Sequence, residues 1–327
     1  MSLKEKNNSV LHKAFMLIDK LGIWAILALL FLILSVTTGD TFLTASNLTN
    51  LVRQICVTGV CAIGATVVVC SGEMDLSSGS LAALAGCASA MLAVNYGVPT
   101  WAAILIAIVG GSIIGALIGA VITFLKVPAF IATMGMMYVL DGFTLLMTRG
   151  TPITNLPAAY KFIARGYAGP IPVIVIILLV LVAVFAFLFR FTKFGRNIVT
   201  VGENATAARL SGINVVLVKI SAFAVASALS SLAGVMLMSR LGSGQPTAAS
   251  DLCLTAMAAV FVGGTSSINT QGAALKTQAG ALFIGMINNG LNLLEVNAYW
   301  QKIVLGLIII FSIAMDVYRT ARAARNA

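Results

Sequence analysis

Charged residues are scarce in this chain: Asp, Glu, Lys and Arg together make up 9% of its 327 residues. Soluble domains contain about 25% charged residues, which keep their surfaces dispersed in water. Hydrophobic residues reach 60% here, above the about 45–50% that is typical of soluble domains. This composition excludes a soluble enzyme, a disordered tail and a disulfide scaffold, and it favours a protein that lies in a lipid bilayer.

The residues that build most catalytic and metal sites are also scarce. The one histidine, His12, lies in a polar stretch, so the sequence lacks the residues for a histidine metal site or a Ser–His catalytic site. No GxxxxGK[ST] loop for nucleotide phosphates occurs. Five cysteines lie in apolar stretches without a CxxC pair, and we expect free, packed thiols at Cys56, Cys61, Cys70, Cys87 and Cys253. We expect no catalytic residue and no metal site.

Basic residues outnumber acidic residues by 20 to 10, which gives a formal net charge of +10. Such an excess can indicate nucleic-acid binding, but no run of five or more like charges occurs. Membrane proteins collect Lys and Arg in cytoplasmic loops, so we expect no nucleic-acid partner. With the N-terminus placed in the cytoplasm, six basic residues lie outside and the other 14 of the 20 inside, which predicts an N-in, C-in topology. The six are Arg53, Arg149, Lys161, Arg165, Arg240 and Lys302.

Gaps between charges predict the membrane spans, because a span needs about 17–25 apolar residues. Ten segments result, at about 21–37, 53–71, 79–95, 100–125, 128–148, 170–189, 218–239, 251–264, 273–293 and 299–316. The eighth is short, ends in GGTSS and reads as a half-helix. SGEMDLSSGS, after the second, reads as a break inside the membrane, since Gly, Ser and Asp are poor in helix interiors. The predicted fold is an all-α polytopic membrane protein with about ten transmembrane segments.

We predict one transmembrane domain over 21–316, between a cytoplasmic tail at 1–20 and a basic cytoplasmic tail at 317–327. The outside connection 149–169 either docks a partner or caps the bundle. The inside connection 190–217 contains ENATAARL followed by SGI. This pattern predicts a short amphipathic helix from Glu203 to Ser211 on the cytoplasmic face. Gly202 and Gly212 flank it, and Gly212 suits the left-handed position that ends a helix.

Two patterns of small residues bear on packing. GEMDLSSGSLAALAG at 72–86 resembles GTSSINTQGAALKTQAG at 264–280, and short Gly-interrupted segments in matching places point to a transport pathway. Gly111, Gly115 and Gly119 form a GxxxGxxxG ridge in the fourth segment. Such a ridge lets helices approach closely, and we favour tight packing within the chain over a dimer contact.

Seven strings in order carry a resemblance to a known family. They are FLTASNLTNLVRQ at 42–54, GEMDLSSGSLAAL at 72–84, PAFIATMGMM at 128–137, GRNIVTVGENATAARLSGINV at 195–215, QPTA at 245–248, VGGTS at 262–266 and NNGLNLL at 288–294. From about Phe42 to Asp316 the chain resembles the permease subunits of ribose-type ABC sugar importers. The sequence departs from the usual pattern at Glu73, Met74 and Ala205.

The resemblance implies a half-transporter in the bacterial inner membrane without its own ATPase. Its implied partners are a cytoplasmic ABC ATPase, which would bind ATP and Mg²⁺, an extracytoplasmic sugar-binding protein, a second permease copy or paralogue, and membrane lipid. The resemblance also implies that the inside connection docks on the ATPase. The coupling residues would be Gly202, Glu203, Asn204, Ala207, Ala208, Arg209, Leu210, Ser211 and Gly212. Arg209 is the main candidate, because a guanidinium makes several fixed hydrogen bonds; alternatively it is only an inside-positive charge.

Four polar residues are candidates for the translocation pathway. Asp75 either faces the pathway or, as we favour, caps the third span. Asp141, inside the fifth span, either faces the pathway or, as we favour, pairs with a basic residue such as Arg149. Asn288 and Asn292 share a helix face and either bind sugar hydroxyls or join helices by hydrogen bonds. Asp141 is also the carboxylate that an alternative function, an ion-coupled secondary transporter, would use.

Overall fold

The computed structural model describes residues 22–264 and 273–326, with side chains described as far as residue 314. The predicted tail at 1–20, His12, and the part of the internal repeat at 265–272 lie outside the described residues.

Within the described ranges the chain forms thirteen α-helices, one 3-10 turn at Gly39–Thr41 and one short β-hairpin. The helices are α1 (Gly22–Thr37), α2 (Ala45–Cys70), α3 (Ser78–Asn95), α4 (Thr100–Phe124), α5 (Ala129–Thr148), α6 (Ala158–Arg165), α7 (Val173–Phe191), α8 (Lys193–Glu203), α9 (Ala205–Leu210), α10 (Val215–Leu241), α11 (Leu252–Val262), α12 (Ala273–Leu293) and α13 (Ala298–Asn326). Strand β1 (Tyr167–Ala168) pairs antiparallel with β2 (Ile171–Pro172).

Each of the ten predicted segments overlaps one helix, so the all-α polytopic class is confirmed. Among the described residues, six helices are long and apolar enough to cross a membrane: α2, α3, α4, α5, α7 and α10. Helix α11 has 11 residues, about 16 Å at 1.5 Å per residue, which is half the thickness of the hydrocarbon core. It is therefore a half-helix, as its sequence predicted. The total number of crossings stays a prediction.

Helix α10 lies at the centre of the bundle and packs against α2, α3 and α4. Small residues allow this, since a Cβ on Gly115 of α4 would overlap the Phe223 carbonyl and the Ser227 hydroxyl of α10. Likewise, a Cβ on Gly234 of α10 would overlap the Ala82 carbonyl of α3. The GxxxGxxxG ridge on α4 therefore serves packing within the chain, as we favoured.

We name the two ends of the bundle after Lys219 and Arg240, which lie near the two ends of α10. At the Lys219 end, Lys219 shares a cleft with Lys126 and Arg209. At the Arg240 end, Arg165 donates hydrogen bonds to the Arg240 carbonyl oxygen, and Arg53 donates to that of Arg165. These two groups match the predicted inside and outside residues. Which end faces the cytoplasm stays a prediction.

The structure corrects two boundaries. Helix α2 begins at Ala45 instead of 53, because Arg53 lies inside the helix and its guanidinium reaches the Arg165 carbonyl and the Tyr167 hydroxyl. A charge at a span end can reach polar partners in this way, so charge gaps underestimate helix length. Helix α13 continues to Asn326, beyond the predicted end of the tenth segment at 316; the cytoplasmic tail at 317–327 stays a prediction.

The connection 149–169 packs on the bundle at the Arg240 end. Tyr160 of α6 is fully buried, and its hydroxyl shares a 2.6 Å hydrogen bond with that of Ser89 on α3. Burial raises the pKa of the Tyr160 phenol. A backbone bridge joins Ile153 to Gly244. These contacts favour the capping alternative for this connection.

Candidate coupling site and translocation residues

Local interactions at each end of α9 define where the helix begins and where it ends. The Asn204 side-chain oxygen accepts hydrogen bonds from the backbone N–H groups of Thr206 (3.0 Å) and Ala207 (2.9 Å), which is an N-cap. Gly212 follows with a φ of 82°, and the next amide, of Ile213, donates to the Ala208 carbonyl. The predicted helix from Glu203 to Ser211 is therefore present but shorter, because Asn204 starts a new helix at Ala205.

The two faces of α9 differ in exposure. Ala208 is completely buried and belongs to the main hydrophobic core, so it anchors the helix to the bundle. Leu210 is 85% exposed, while Ala207, Arg209 and Ser211 are also exposed. An exposed leucine beside an arginine on an anchored helix suits a protein contact, in which Arg is enriched.

Gly202 has a different role from the one predicted. It lies inside α8 instead of ending a helix. A Cβ at this position would overlap the Cys70 carbonyl and lie 3.0 Å from the Gly72 nitrogen. Gly72 itself has a φ of 81° just after α2. The glycine is therefore required for the direct backbone contact between α8 and the α2–α3 connection.

An ion pair joins the α2–α3 connection to α10. Glu73 accepts a hydrogen bond from the Lys219 ammonium group, and both side chains are only about a fifth exposed (18% and 21%). Both residues line the same cleft as Arg209. The connection is thus held at two points, by Gly202 through backbone contact and by Lys219 through charge.

We expect the reversed pair Glu73→Lys/Lys219→Glu to be more stable than either single variant. Each single reversal places like charges together in a half-buried site, which should cost about 1–3 kcal/mol, and the double variant restores the attraction. The thermal midpoint of each variant in detergent measures this. The matched control is the Asp251–Lys302 pair, which is exposed (54% and 70%) and whose reversal should change little. The interaction would be contradicted if the double variant lost as much stability as the losses of the two single variants added together.

Asp75 is 3% exposed and fixed by its neighbour. One carboxylate oxygen accepts hydrogen bonds from the Ser77 amide (2.8 Å) and the Ser77 hydroxyl, while the other is buried and has no hydrogen-bond partner among the described residues. The N-cap of α3 is Ser77, and Ser77 makes no side-chain cap. Asp75 is therefore not the N-cap residue of α3, but its carboxylate accepts a hydrogen bond from the backbone N–H of Ser77 at the start of that helix, as the capping prediction implied.

The other three pathway candidates lie on two helices, Asp141 on α5 and Asn288 and Asn292 on α12. Asp141 is half-buried on α5 and makes no ion pair among the described side chains, so the favoured pairing with Arg149 is wrong. Arg149 lies past the end of α5 in a left-handed conformation, which takes it off the helix face. Asn292 accepts a 2.9 Å hydrogen bond from Gln301 of α13, which is the helix-joining role. Asn288 is half-buried, and its side-chain amide makes no hydrogen bond to a described group.

Residues 47–313 match the protein family described as the permease component of branched-chain amino acid transport systems. The chain belongs to this permease family. A ribose import permease protein of Haemophilus influenzae, RbsC, is 39% identical over 89% of this chain and 91% of its own. The RbsC protein of Bacillus subtilis is 39% identical over 93% and 94%. The xylose transport system permease protein XylH of Escherichia coli is 32% identical over 86% and 87%. No solved structure matches.

These relatives confirm the resemblance to permease subunits of ribose-type ABC importers. The permease is therefore a multi-pass protein of the bacterial inner membrane and a transport subunit, and the ion-coupled alternative is not supported. An importer of this kind works with an ATPase and a substrate-binding protein.

A line of polar contacts that the sequence alone does not pair joins α2 and α12 of the permease. Asn47 and Asn289 exchange hydrogen bonds of 3.1 and 2.7 Å. Nearer the Lys219 end, Gln278 donates to the Gly59 carbonyl, and the hydroxyls of Thr66 and Thr277 lie 2.7 Å apart. Interhelical hydrogen bonds of this kind hold spans together in lipid. The polar residues themselves were the available signal, but their pairing depends on tertiary structure.

Proposed function

We propose that the permease forms the translocation pathway for ribose or a closely related monosaccharide in an ABC importer. The supporting observation is the nearly full-length similarity to permeases named for ribose import, with a more distant relative named for xylose transport. Sugar selection would fall mainly to the separate sugar-binding protein.

We further propose that α9 docks on the cytoplasmic ATPase. Three features support this role: a helix with fixed ends, a buried anchor at Ala208 and an exposed face containing Leu210 and Arg209. Backbone contact at Gly202 and the Glu73–Lys219 pair would pass its movement to α2, α3 and α10. In this proposal ATP and Mg²⁺ bind to the partner ATPase, and the permease supplies no nucleotide site.

Among the four pathway candidates, Asn288 is the one that the contacts favour. Its half-buried amide has no described hydrogen-bond partner, so it is available to exchange hydrogen bonds with sugar hydroxyls. Asn292 is engaged with Gln301, and Asp75 is enclosed by Ser77. Asp141 remains a candidate because it is half-buried on α5 without an ion partner among the described residues.

Uptake into proteoliposomes tests the transport function. The permease is reconstituted with its ATPase, and labelled ribose is added with the sugar-binding protein. We expect ATP-dependent accumulation that requires all three proteins and that unlabelled ribose competes away. Accumulation without the ATPase, driven by an ion gradient, would contradict the proposal. A complex that hydrolyses ATP in response to the binding protein loaded with a different solute would change the substrate alone.

We expect two permease subunits in each assembled importer. One chain offers one α9, whereas an ABC importer contains two ATPase units, and closed two-fold pairs are the commonest symmetric arrangement. Mass measurement of the detergent-extracted complex should give two permeases, either two copies or one copy with a paralogue, for every two ATPases. A single permease per two ATPases would contradict this.

The topology prediction places the Lys219 end in the cytoplasm. A reporter that works only in the cytoplasm should be active when fused after Ala205. A reporter that works only outside the cytoplasm should be active when fused after Ala168. The physical reason is the split of 14 basic residues against six between the two sides. The reverse pattern of activity would invert the map.

A further inference from the structure

A basic cleft of about 230 Å³ opens at the Lys219 end, between the α4–α5 connection and the start of α10. Lys126, Arg209 and Lys219 line it together with one carboxylate, that of Glu73. Glu73 is already paired with Lys219. Lys126 and Arg209 form no ion pair with any described side chain. The cleft therefore has two positive charges that are not neutralised within the described protein.

Large exposed apolar side chains lie next in sequence to residues that line the cleft. Phe124 and Leu125, directly before Lys126, are 67% and 70% exposed. Phe130, at the start of α5, is 53% exposed, and Leu217, in the first turn of α10, is 63% exposed. Such side chains need an apolar covering, whereas the two cations need an anion. One molecule that supplies both together is a phospholipid with a negatively charged head group.

Lys126 adopts an unusual backbone conformation. Its φ is 56°, in the left-handed region that non-glycine residues other than Asn and Asp rarely adopt. The same conformation follows α5 at Arg149 and α12 at Glu295, since a left-handed residue commonly ends a helix. Here it ends α4 so that the lysine lines the cleft.

We propose that this cleft binds the phosphate of an anionic phospholipid at the membrane surface. Lys126 binds the phosphate, and the acyl chains cover Phe124, Leu125 and Leu217, while Arg209 adds positive charge to the cleft and keeps its place on the exposed face of α9. Basic pockets between membrane helices on the cytoplasmic side are a recurring form of lipid head-group site. The bound lipid would lie between the end of α4 and α9, leaving Arg209, Leu210 and the outer face of α9 to the ATPase contact proposed above. The site depends on placement in the membrane and not on which solute is transported.

Native mass spectrometry of the detergent-purified permease tests the site. Phosphatidylglycerol and phosphatidylcholine with identical acyl chains are titrated against the parent, Lys126→Asn and Lys193→Asn. Asparagine tolerates the left-handed conformation, so Lys126→Asn removes the charge while keeping the turn. Lys193 is the matched control, since it is an exposed lysine of α8 outside the cleft. We expect Lys126→Asn to weaken phosphatidylglycerol binding about fivefold, with no change for Lys193→Asn or for phosphatidylcholine.

Three results would overturn the lipid site. Equal phosphatidylglycerol binding by the two variants would show that the cleft makes no specific contribution. Displacement of the lipid by millimolar inorganic phosphate would show a site for soluble phosphate instead. Unchanged lipid binding together with weaker retention of the ATPase by Lys126→Asn would assign the cleft to the ATPase contact.

Discussion

Gly115→Leu should greatly lower the thermal stability of the permease. A side chain at this position of α4 would overlap the backbone carbonyl of Phe223 and the hydroxyl of Ser227 on α10, the central helix. Neither helix can move away cheaply, because α10 also packs against α2 and α3. Overpacking commonly costs about 1–3 kcal/mol, and backbone overlap in a bundle held by close packing should place this variant at or above the upper limit. The midpoint of the loss of the monodisperse protein peak on heating in detergent measures the effect.

Gly110→Leu is the matched control, on the same helix and with the same chemical change. A Cβ at Gly110 meets no atom within 4 Å, so this variant should keep the parent midpoint. Equal losses in both variants would show that the helix simply requires glycine, against the packing argument. A loss of the two-permease assembly in Gly110→Leu, with the subunit still folded, would place the subunit contact on that face of α4.

Arg209→Glu should uncouple the importer without unfolding the permease. The reversed charge would repel the carboxylate or carbonyl partner that we propose on the ATPase, while Ala208 and the Asn204 cap still hold α9 in place. We expect ribose uptake to fall by at least about tenfold, the equivalent of 1.4 kcal/mol, with unchanged expression and thermal midpoint. Arg209→Lys should retain part of the activity, since Lys keeps the charge but loses the planar guanidinium geometry.

Lys193→Glu provides the control for charge at the same end of the bundle. Lys193 is exposed at the start of α8 and lies away from α9, so its reversal should leave uptake near the parent value. Stimulated ATP hydrolysis is measured beside uptake to separate coupling from assembly. Parent-like assembly, hydrolysis and uptake in Arg209→Glu would remove the coupling role from this residue and leave it as an inside-positive charge.

Local signals explain why much of this fold is predictable from sequence. Helices in lipid must satisfy their backbone hydrogen bonds within themselves, so apolar stretches between charges locate every long helix. Asn204 and Gly212 act on backbone groups a few positions away, and both are therefore recognisable as ends of α9. The error at Gly202 has the same origin, because a local rule assigned a helix end to a glycine whose function is a close contact with a distant segment.

Pairings between distant segments could not be predicted in this way. Glu73 and Lys219 lie 146 positions apart, and Asn47 and Asn289 lie 242 apart. Each of these residues has several candidate partners until the packing of α2, α10 and α12 is known. The four pathway candidates were chosen for polarity alone, and they lie on three elements of the fold, the α2–α3 connection, α5 and α12.

The contact between Gly202 and Gly72 has a mechanical consequence. Most contacts between helices pass through side chains, which can change rotamer and absorb a displacement of a few tenths of an ångström. Here two stretches of backbone touch with no side chain between them, so this joint has almost no compliance. We therefore expect a displacement of α8 to move the end of α2 by nearly the same distance. This contact would transmit the movement rigidly.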